Sequence, residues 1–354
     1  MDQEVNRLFT EQLNTWELVR NNYAALADVH TKELNVDGSP YKVQFNAARI
    51  VSSGAKVDAR SIKERKCFLC PQNLPAEQKG IPFLGHYQIL VNPFPIFPRH
   101  LTIPEVEHVE QLIAPRFGDM LELAKELTDY VVFYNGPKCG ASAPDHAHFQ
   151  AGNKGFMPIE KTWNNNIAGK IADYGEATLW YLSDEPRTTL VIEATDKKDA
   201  IALFEHVYQC LSTDFSSQPL SHEFSSLTEK EEPMMNILAW YETQKSSEKR
   251  GSGKATEDSV RLPTDTKDTM CTTSSWIICI FPREKHRPTC YSAEGNDNLL
   301  SSPASVDLGG VFILPVEKDF MKIKATDVKQ ILSEVCLPQE KFRLLRQRIK
   351  ESLE

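Results

Sequence analysis

The chain has 354 residues, a length that excludes one small domain and favours one elaborate domain or two coupled ones. Hydrophobic residues make up 41% and charged residues 25%, a globular composition that excludes wholesale disorder. Lys and Arg total 40 against 49 Asp and Glu, and the net charge of -9 argues against a protein that coats nucleic acid. Any phosphate chemistry must therefore depend on local basic clusters.

The N-terminal residues show no targeting signal. The first ten residues, MDQEVNRLFT, contain neither the basic region nor the apolar run of a secretory signal peptide. No run in the sequence approaches the ~18 apolar residues that a membrane-spanning helix needs. Eight cysteines in so long a chain do not indicate a disulfide framework. We therefore expect a cytoplasmic protein that binds neither membranes nor nucleic acid.

The first half of the chain mixes strands with a few helices. Apolar residues at helical spacing predict an amphipathic helix over about 3–20. Residues 109–127 repeat the helical period, and Pro115 is predicted to split this stretch into two helices. Strands are predicted at Tyr87 to Val91, Tyr130 to Tyr134 and His146 to Ala151, and a strand or hairpin at Tyr41 to Ser52.

The second half is also predicted to mix strands with helices, and it contains no sequence repeat of the first half. Strands are predicted at Arg187 to Thr195, Met234 to Tyr241 and Ser275 to Phe281, and helices at Lys197 to Leu211 and Asp327 to Leu353. The polar stretch Lys245 to Thr269 is predicted to be a mobile surface loop. Because strands and helices do not alternate regularly, the pattern indicates an α+β fold with a largely antiparallel sheet and flanking helices. The predicted units are an N-terminal helical extension (1–40), a first sheet-containing half (41–215), a second sheet-containing half (216–325) and C-terminal helices (326–354).

Three polar residues in the segment GASAPDHAHFQ are suited to chemistry on phosphorus. His146, His148 and Gln150 share one face if the segment is a strand, at intervals of roughly 6.6 Å. Imidazole can act as a neutral nucleophile near pH 7, and the preceding small residues let backbone N–H groups approach an anion. The pattern fits attack on phosphorus with formation of a phosphoramidate. A pair of metal ligands or a buried polar strand is the alternative that spacing alone leaves open.

A second motif, Cys67-Phe68-Leu69-Cys70, indicates a metal site. Two thiolates from one tight turn can bind a tetrahedral zinc ion, which needs two more ligands. A redox dithiol is the less favoured alternative, because the polar residues after Pro71 do not predict a helix. Histidines are the better candidates for the remaining ligands, and those nearby are His86, His100, His108, His146 and His148.

A basic cluster follows the predicted strand at 275–281. Arg283, Lys285, His286 and Arg287 are placed to neutralise polyphosphate at the end of that strand, and Lys138 in the Gly-rich loop is a similar candidate. A solvated turn is the alternative interpretation of this cluster.

These motifs together resemble a known family. The segments CFLCPQN (67–73), FPRHLTIPEV (97–106) and GASAPDHAHFQ (140–150) are similar to galactose-1-phosphate uridylyltransferase, from the transferase branch of the histidine-triad superfamily. The H-x-H-x-Q signature is shared with diadenosine tetraphosphate phosphorylases and GDP-hexose phosphorylases. The resemblance is specific over residues 66–152, and residues 276–315 are more like the phosphorylases.

The resemblance implies a fold and a set of site residues. It implies a histidine-triad-like sheet built from two related half-domains, and a homodimer. It implies that His148 is the nucleophile, that Gln150 holds the phosphoryl oxygens, and that Gly140 and Ser142 lie beside the transferred phosphate. The family's structural zinc ligands correspond to Cys67, Cys70, His100 and His146. The chain departs from the usual S-x-P-H pattern by inserting Asp145 before His146.

The sequence thus predicts a nucleotidyltransferase that acts through a nucleotidyl-histidine. Attack requires the Nδ1 proton of His148 to be held by an acceptor, and the resemblance implies the main-chain carbonyl of His146. The donor is a nucleoside diphosphate sugar or a dinucleoside polyphosphate, and inorganic phosphate is the favoured acceptor, so the enzyme is a phosphorylase. A sugar-1-phosphate uridylyltransferase is the first alternative, hydrolysis the next, and a non-catalytic zinc-stabilised nucleotide-binding protein is the rival from another class. No organic cofactor is expected besides zinc.

Overall fold

The computed structural model describes residues 1–50, 58–183, 186–213, 231–246 and 271–354. The predicted loop at 245–269 lies outside these ranges from residue 247 onward, and its first two residues end a strand. Within the described ranges, no helix has both the length and the apolar character needed to cross a membrane.

The secondary structure follows the predicted mixture of strands and helices. The described α-helices are α1 (Asp2–Thr15), α2 (Glu17–Ala24), α3 (Ala59–Glu64), α4 (Phe117–Glu126), α5 (Ile159–Thr162), α6 (Lys197–Ser212), α7 (Ser305–Leu308), α8 (Glu317–Lys322), α9 (Ala325–Val335) and α10 (Gln339–Leu353). The described strands are β1 (His30–Val36), β2 (Ser39–Phe45), β3 (Gly80–Phe83), β4 (Tyr87–Val91), β5 (His100–Pro104), β6 (Tyr130–Asn135), β7 (His148–Asn153), β8 (Ile167–Tyr174), β9 (Ala177–Leu182), β10 (Leu190–Ala194), β11 (Met235–Ser246), β12 (Cys271–Pro282) and β13 (Val311–Leu314).

Two local predictions differ from the structure. The helix predicted before Pro115 is absent from the described segment 109–113, where backbone and side chain bond instead to the residues that begin β7. Tertiary contacts there override the helical period. The sequence also missed β1, which forms a hairpin with β2 through Asp37-Gly38. Both turn residues have positive φ, of 51° and 93°, as the tight turn of a two-residue hairpin requires.

The main sheet consists of two halves with the same strand order, which confirms the predicted α+β class and its related half-domains. The ten strands follow the order β3-β4-β5-β7-β6-β11-β12-β10-β9-β8. In each half, three strands form a meander, a helix follows (α4 or α6), and a hairpin returns so that its last strand lies beside the third. The halves join where β6 pairs with β11 in antiparallel register. The strands β8 to β12 therefore form one half of the sheet, and the boundary predicted at residue 215 falls between α6 and β11 of that half.

The two faces of the sheet carry different layers. On one face α1, α4, α6 and α10 cover the core that includes Phe149 and Ala151 of β7. On the other face β2, β13 and α9 pack over a second core. Because side chains alternate along a strand, His148 and Gln150 point to this second face. The sheet therefore lies between the side chains of His148 and Gln150 on one face and the helices that join the two halves on the other.

A pair of stacked phenylalanines packs the equivalent helices α4 and α6 against each other. The rings of Phe117 and Phe204 lie 3.7 Å apart between centroids at an interplanar angle of 7°, and both side chains are buried. Truncating one ring leaves a cavity between the two halves that the stiff sheet cannot close. We expect Phe204→Ala to lower the free energy of unfolding by about 3–5 kcal/mol, measured by urea denaturation.

Met321→Ala is the control, because its side chain on α8 is 71% exposed and its loss should change stability by less than about 0.5 kcal/mol. A loss below about 1 kcal/mol for Phe204→Ala would contradict the role given to this stack.

Candidate active site

His148 is held in one tautomer at the start of β7. Its Nδ1 lies 2.8 Å from the carbonyl oxygen of His146, and because a carbonyl can only accept, Nδ1 carries the proton. This confirms the predicted hydrogen bond and leaves the lone pair on Nε2. Burial lowers the pKa of His148 to about 4, so the ring is neutral at physiological pH. A buried neutral imidazole with a bare Nε2 is the form that a nucleophile requires.

Gln111 holds the main chain of His148, a role that sequence reasoning missed. Its Oε1 accepts the backbone N–H of His148 at 2.7 Å, and its Nε2 donates to the carbonyl of the same residue at 3.0 Å. A further bond at 3.1 Å joins that Nε2 to the carbonyl of Asn135. Pro104 lies opposite His148 on β5, and a proline cannot donate a ladder hydrogen bond. The buried Gln111 amide therefore satisfies the backbone N–H and carbonyl of His148, which a neighbouring strand would satisfy elsewhere in the sheet.

His148 opens onto a cavity of about 150 Å³ between the main sheet and the segment 302–313. Predicted site residues that line it are Gly140, Ser142, His148, Gln150 and Arg287. Further lining residues that the sequence analysis did not select include Arg49, Asn92, Thr102, Asn135 and Asp307. Polar groups from both ends of the chain thus surround the histidine.

Two side-chain amides border the cavity with their oxygens turned away from it. Gln150 Oε1 receives a hydrogen bond from His100 at 3.0 Å. Asn135 Oδ1 accepts N–H bonds from Asn236 Nδ2 and from the backbone of Ser305, each at 2.9 Å, and it shares the Ser305 hydroxyl proton with the carbonyl of Tyr134. Neither amide nitrogen donates to any residue within the described ranges. The four N–H groups of these amides are therefore available to an anion in the cavity.

The loop between β6 and β7 approaches the C-terminal half closely. Gly140 has φ of +95°, and a Cβ there would lie 2.7 Å from the Cβ of Ala304. Only glycine fits this close approach, as the Gly-rich character of the loop predicted. The loop thereby carries Ala141 and Ser142 to the rim of the cavity.

The predicted basic cluster divides into three different environments. The buried guanidinium of Arg283 donates all five of its N–H groups to protein oxygens, those of Val335, Pro303, Asn236, Lys285 and His286. No donor is left for a phosphate, so the substrate-binding role predicted for Arg283 is wrong. Its bond to Asn236 instead supports the amide that holds Asn135.

Lys285 and Lys138 also lie outside the cavity lining. Lys285 pairs with Glu334 at 2.6 Å, and this bond helps to lower the pKa of Glu334 to about 2 against the effect of its burial. Lys138 pairs with Glu231 at 2.5 Å on the surface. From the predicted basic cluster, Arg287 and His286 line the cavity. The guanidinium of Arg287 stacks over Tyr291 at 4.1 Å, whereas burial lowers the pKa of His286 to about 4, so that its ring is neutral. Arg49, which sequence reasoning missed, is the second lining arginine.

A group of four side chains beside the cavity has the geometry of a metal site. Cys67, Cys70, His108 and His146 bring their ligand atoms within 4.8 Å of one another. The Sγ–Nδ1 distances are 3.2 Å for Cys67–His146, 3.3 Å for Cys70–His108 and 3.6 Å for Cys70–His146. Tetrahedral zinc would separate sulfur and nitrogen ligands by about 3.6 Å. The four residues could therefore hold a metal ion.

The surroundings of the two histidines support this arrangement. His146 presents Nδ1 to the cysteines and donates Nε2–H to the carbonyl of Glu105 at 2.8 Å. Such a second hydrogen bond orients a metal-bound imidazole. His108 Nε2 lies 3.8 Å from Asp145, whose carboxylate also pairs with Arg65 at 2.5 Å. The inserted Asp145 thus lies next to His108, on the side of the ring that faces away from the cysteines.

His100 is not part of this cluster, which corrects the predicted ligand set. Its ring is buried in the sheet, with Nε2 bonded to Gln150 and Nδ1 to the backbone N–H of Ile96 at 3.1 Å. His108 stands in its place. His108 is one of the five histidines near the cysteine pair that the sequence offers as ligands. The resemblance selected His100, which begins β5, whereas the ligand in the cluster is His108, which follows that strand.

Comparisons with known proteins agree with the fold. Residues 8–153 match the model of a domain of unknown function, DUF4922, and residues 268–354 match the model of the GDPGP1-like C-terminal domain. No curated protein matches the chain significantly. The structure is similar to yeast Ap4A phosphorylase Apa2, with 16% identity, a TM-score of 0.50, and 92% of this chain and 95% of that chain covered. The same enzyme in complex with Ap4A gives 16% identity, a TM-score of 0.51, and 92% and 98% coverage.

The match to the GDPGP1-like C-terminal domain and the fold shared with the yeast phosphorylase agree with the resemblance seen in the sequence. In this fold the signature residues His148 and Gln150 face the cavity, and His146 faces the cysteine pair. Both matched family models contribute to the cavity, since Gly140 comes from the first and Arg287 from the second.

The two neighbouring cations Arg283 and Lys285 should respond differently to substitution. Arg283→Met removes five donors from buried oxygens, and we expect a loss of at least about 3 kcal/mol in the free energy of unfolding. Lys285→Met removes a partly exposed ion pair and should cost less than about 1 kcal/mol. Urea denaturation of both variants measures the difference. Equal, small losses would contradict the structural role assigned to Arg283.

Proposed function

We propose that the chain is a nucleotidyltransferase that works through a nucleotidyl-His148 intermediate and uses phosphate as the acceptor. The observation that carries the proposal is the hydrogen bond between His148 Nδ1 and the His146 carbonyl, with Nε2 left bare at the cavity. A histidine that served only as a core residue would have no need of a fixed tautomer facing an open polar cavity.

The proposed reaction has two displacements at one phosphorus atom. His148 Nε2 attacks the α-phosphorus of a nucleoside diphosphate sugar or dinucleoside polyphosphate, and the bond to the bridging oxygen breaks. The leaving group is a sugar phosphate or a nucleotide. An oxygen of inorganic phosphate then attacks the same phosphorus, and the N–P bond breaks. Neutral His148 is restored, and the product is a nucleoside diphosphate.

Fixed donors around the cavity support the charge that such displacements develop. The amide N–H groups of Gln150 and Asn135 face the space beside His148, and the backbone of the Gly140 loop lies at its rim. Arg49 and Arg287 add positive charge from opposite ends of the chain. Donors held in place before the reaction stabilise a pentavalent phosphorus without a cost of reorganisation.

Phosphate is the favoured acceptor because of the C-terminal half. Residues 268–354 match the GDPGP1-like model, and they supply Arg287 to the cavity. The yeast enzyme of similar fold is an Ap4A phosphorylase that was crystallised with AMP and with Ap4A. A homodimer and a cytoplasmic location remain predictions of the sequence.

We further propose that Cys67, Cys70, His108 and His146 hold zinc. Burial opposes ionisation of Cys67, but the hydrogen bond and charge of His146 outweigh it and lower the pKa of this thiol, whereas burial and the neighbouring Cys67 raise the pKa of Cys70. Cys67 is therefore the thiol of the pair that ionises first, and zinc binding requires the thiolate form. When bound, zinc would supply structural support. The chain's own contribution is that His146 ligates through its ring while its carbonyl holds the Nδ1 proton of His148.

The proposed intermediate can be detected directly. Incubation of the protein with nucleotide sugars and dinucleoside polyphosphates, without phosphate, should add the mass of one nucleotide to the chain, measured as intact mass under alkaline conditions. Phosphoramidates survive those conditions. We expect His148→Ala to remain unmodified, because its Nε2 is the attacking atom, and we expect added phosphate to remove the adduct from the wild type.

His86→Ala is the matched control, since that exposed ring is not part of the cavity lining and its loss should leave adduct formation unchanged. An unmodified wild type with every donor, or an equally modified His148→Ala, would falsify the covalent mechanism. Adduct loss with water alone would favour hydrolysis, and loss with sugar phosphate alone would favour the uridylyltransferase reaction.

The metal ligands can be tested by the zinc content of purified variants. We expect about one zinc ion per chain in the wild type, and a strong loss in Cys67→Ser and in His108→Ala, because each removes one of four ligands. His100→Asn should keep its zinc. Zinc retained in His108→Ala but lost in His100→Asn would restore the ligand set that the resemblance implied.

A further inference from the structure

His100 is buried at the start of β5, and its two ring nitrogens have different partners. Nδ1 accepts the backbone N–H of Ile96 at 3.1 Å, so this nitrogen carries no proton. In a neutral imidazole the proton must then be on Nε2, which lies 3.0 Å from Gln150. Burial and the nearby charge of Arg49 lower the pKa of His100 to about 3, which keeps the ring neutral.

This tautomer decides which way the Gln150 amide points. A donor on His100 Nε2 requires the oxygen of Gln150 as its acceptor, which turns the NH2 group away from the histidine. Gln150 lines the cavity beside His148, and its Nε2 donates to none of the residues that the structure describes. With the opposite orientation, the amide oxygen would face the cavity and repel a phosphoryl oxygen.

We propose that His100 is a positioning residue, which fixes the amide of Gln150 with both N–H groups toward the phosphoryl group transferred to His148. The proposal rests on the proposed function. The hydrogen bonds from Ile96 to His100 and from His100 to Gln150 run in one direction. The backbone N–H of Ile96 can only donate, so His100 Nδ1 must accept, His100 Nε2 must donate, and the oxygen of Gln150 must accept. An otherwise freely flipping amide thereby becomes a fixed pair of donors.

The competing explanation is that His100 only stabilises the loop before β5. Its main chain is held independently of the ring: the Tyr23 hydroxyl donates to the His100 carbonyl at 3.0 Å, and the strand pairs with β7. Phe97 packs edge-on against the ring at 5.4 Å between centroids. Side-chain variants at His100 can therefore be compared while the backbone retains these contacts.

The tautomer can be measured without turnover. Long-range ¹H–¹⁵N correlation on histidine-labelled protein, with His100→Asn to assign the signal, should show His100 protonated at Nε2 and bare at Nδ1 between pH 6 and 8. A proton on Nδ1, or a doubly protonated ring, would overturn the proposal, whether or not any donor forms an adduct.

Two variants separate the donor from the rest of the ring. In His100→Asn the shorter amide can still accept from Ile96 N–H but cannot reach Gln150, whereas His100→Gln can place an N–H near the position of Nε2. We expect His100→Asn to slow nucleotidyl-His148 formation by about 10²-fold, the effect typical of a lost oxyanion donor, with donor Kd changed less than about threefold. His100→Gln should recover part of that rate.

A double-mutant cycle with Gln150→Ala tests whether His100 acts through Gln150. In the Gln150→Ala background, His100→Asn should slow adduct formation by less than about threefold, because no amide remains to be oriented. Multiplicative effects of the two substitutions, or a His100→Gln rate no higher than that of His100→Asn, would refute the positioning role. Absence of any adduct in the wild type would instead refute the proposed function, and the tautomer measurement would still decide the state of His100.

Discussion

The active-site arrangement depends on one hydrogen bond, from Nδ1 of His148 to the main-chain carbonyl of His146. A single peptide segment thereby performs two tasks. The ring of His146 faces the cysteine pair, and its carbonyl fixes the tautomer of His148. A displacement of the metal-site loop would move the carbonyl and release the proton that it holds. The four-residue cluster and the ring of His148 are therefore mechanically one unit, although the cluster lies outside the cavity.

The sheet makes this unit rigid by placing β7 between β5 and β6. One face of β7 is packed under the helical layer and leaves the other face for His148 and Gln150. At the strand end, where Pro104 breaks the ladder, Gln111 supplies the missing hydrogen bonds. The C-terminal half completes the cavity from above, and Gly140 lets the two parts meet at van der Waals distance. The buried side-chain amide of Gln111 thus takes the place of backbone hydrogen-bond partners at the end of β7.

Much of the site was predictable from local sequence. The H-x-H-x-Q alternation requires His148 and Gln150 to share a face, and two cysteines three residues apart must lie together, whatever the rest of the fold. The small residues before His146 indicated a close approach of backbone. Failures occurred where a role depends on a distant partner. Arg283 looked like a phosphate ligand until its four carbonyl acceptors, from three separate segments, were known.

The sequence by itself determined the class of fold, the shared face of His148 and Gln150, and the cysteine pair, because strand alternation and short spacings act within a few residues. The tertiary structure decided which histidine joins the cysteines: His108, in the segment after β5, lies with them, whereas His100, the first residue of β5, bonds to Gln150. It also decided that Arg49 and not Arg283 lines the cavity. Those choices depend on contacts between residues far apart in the chain, and no local period encodes them.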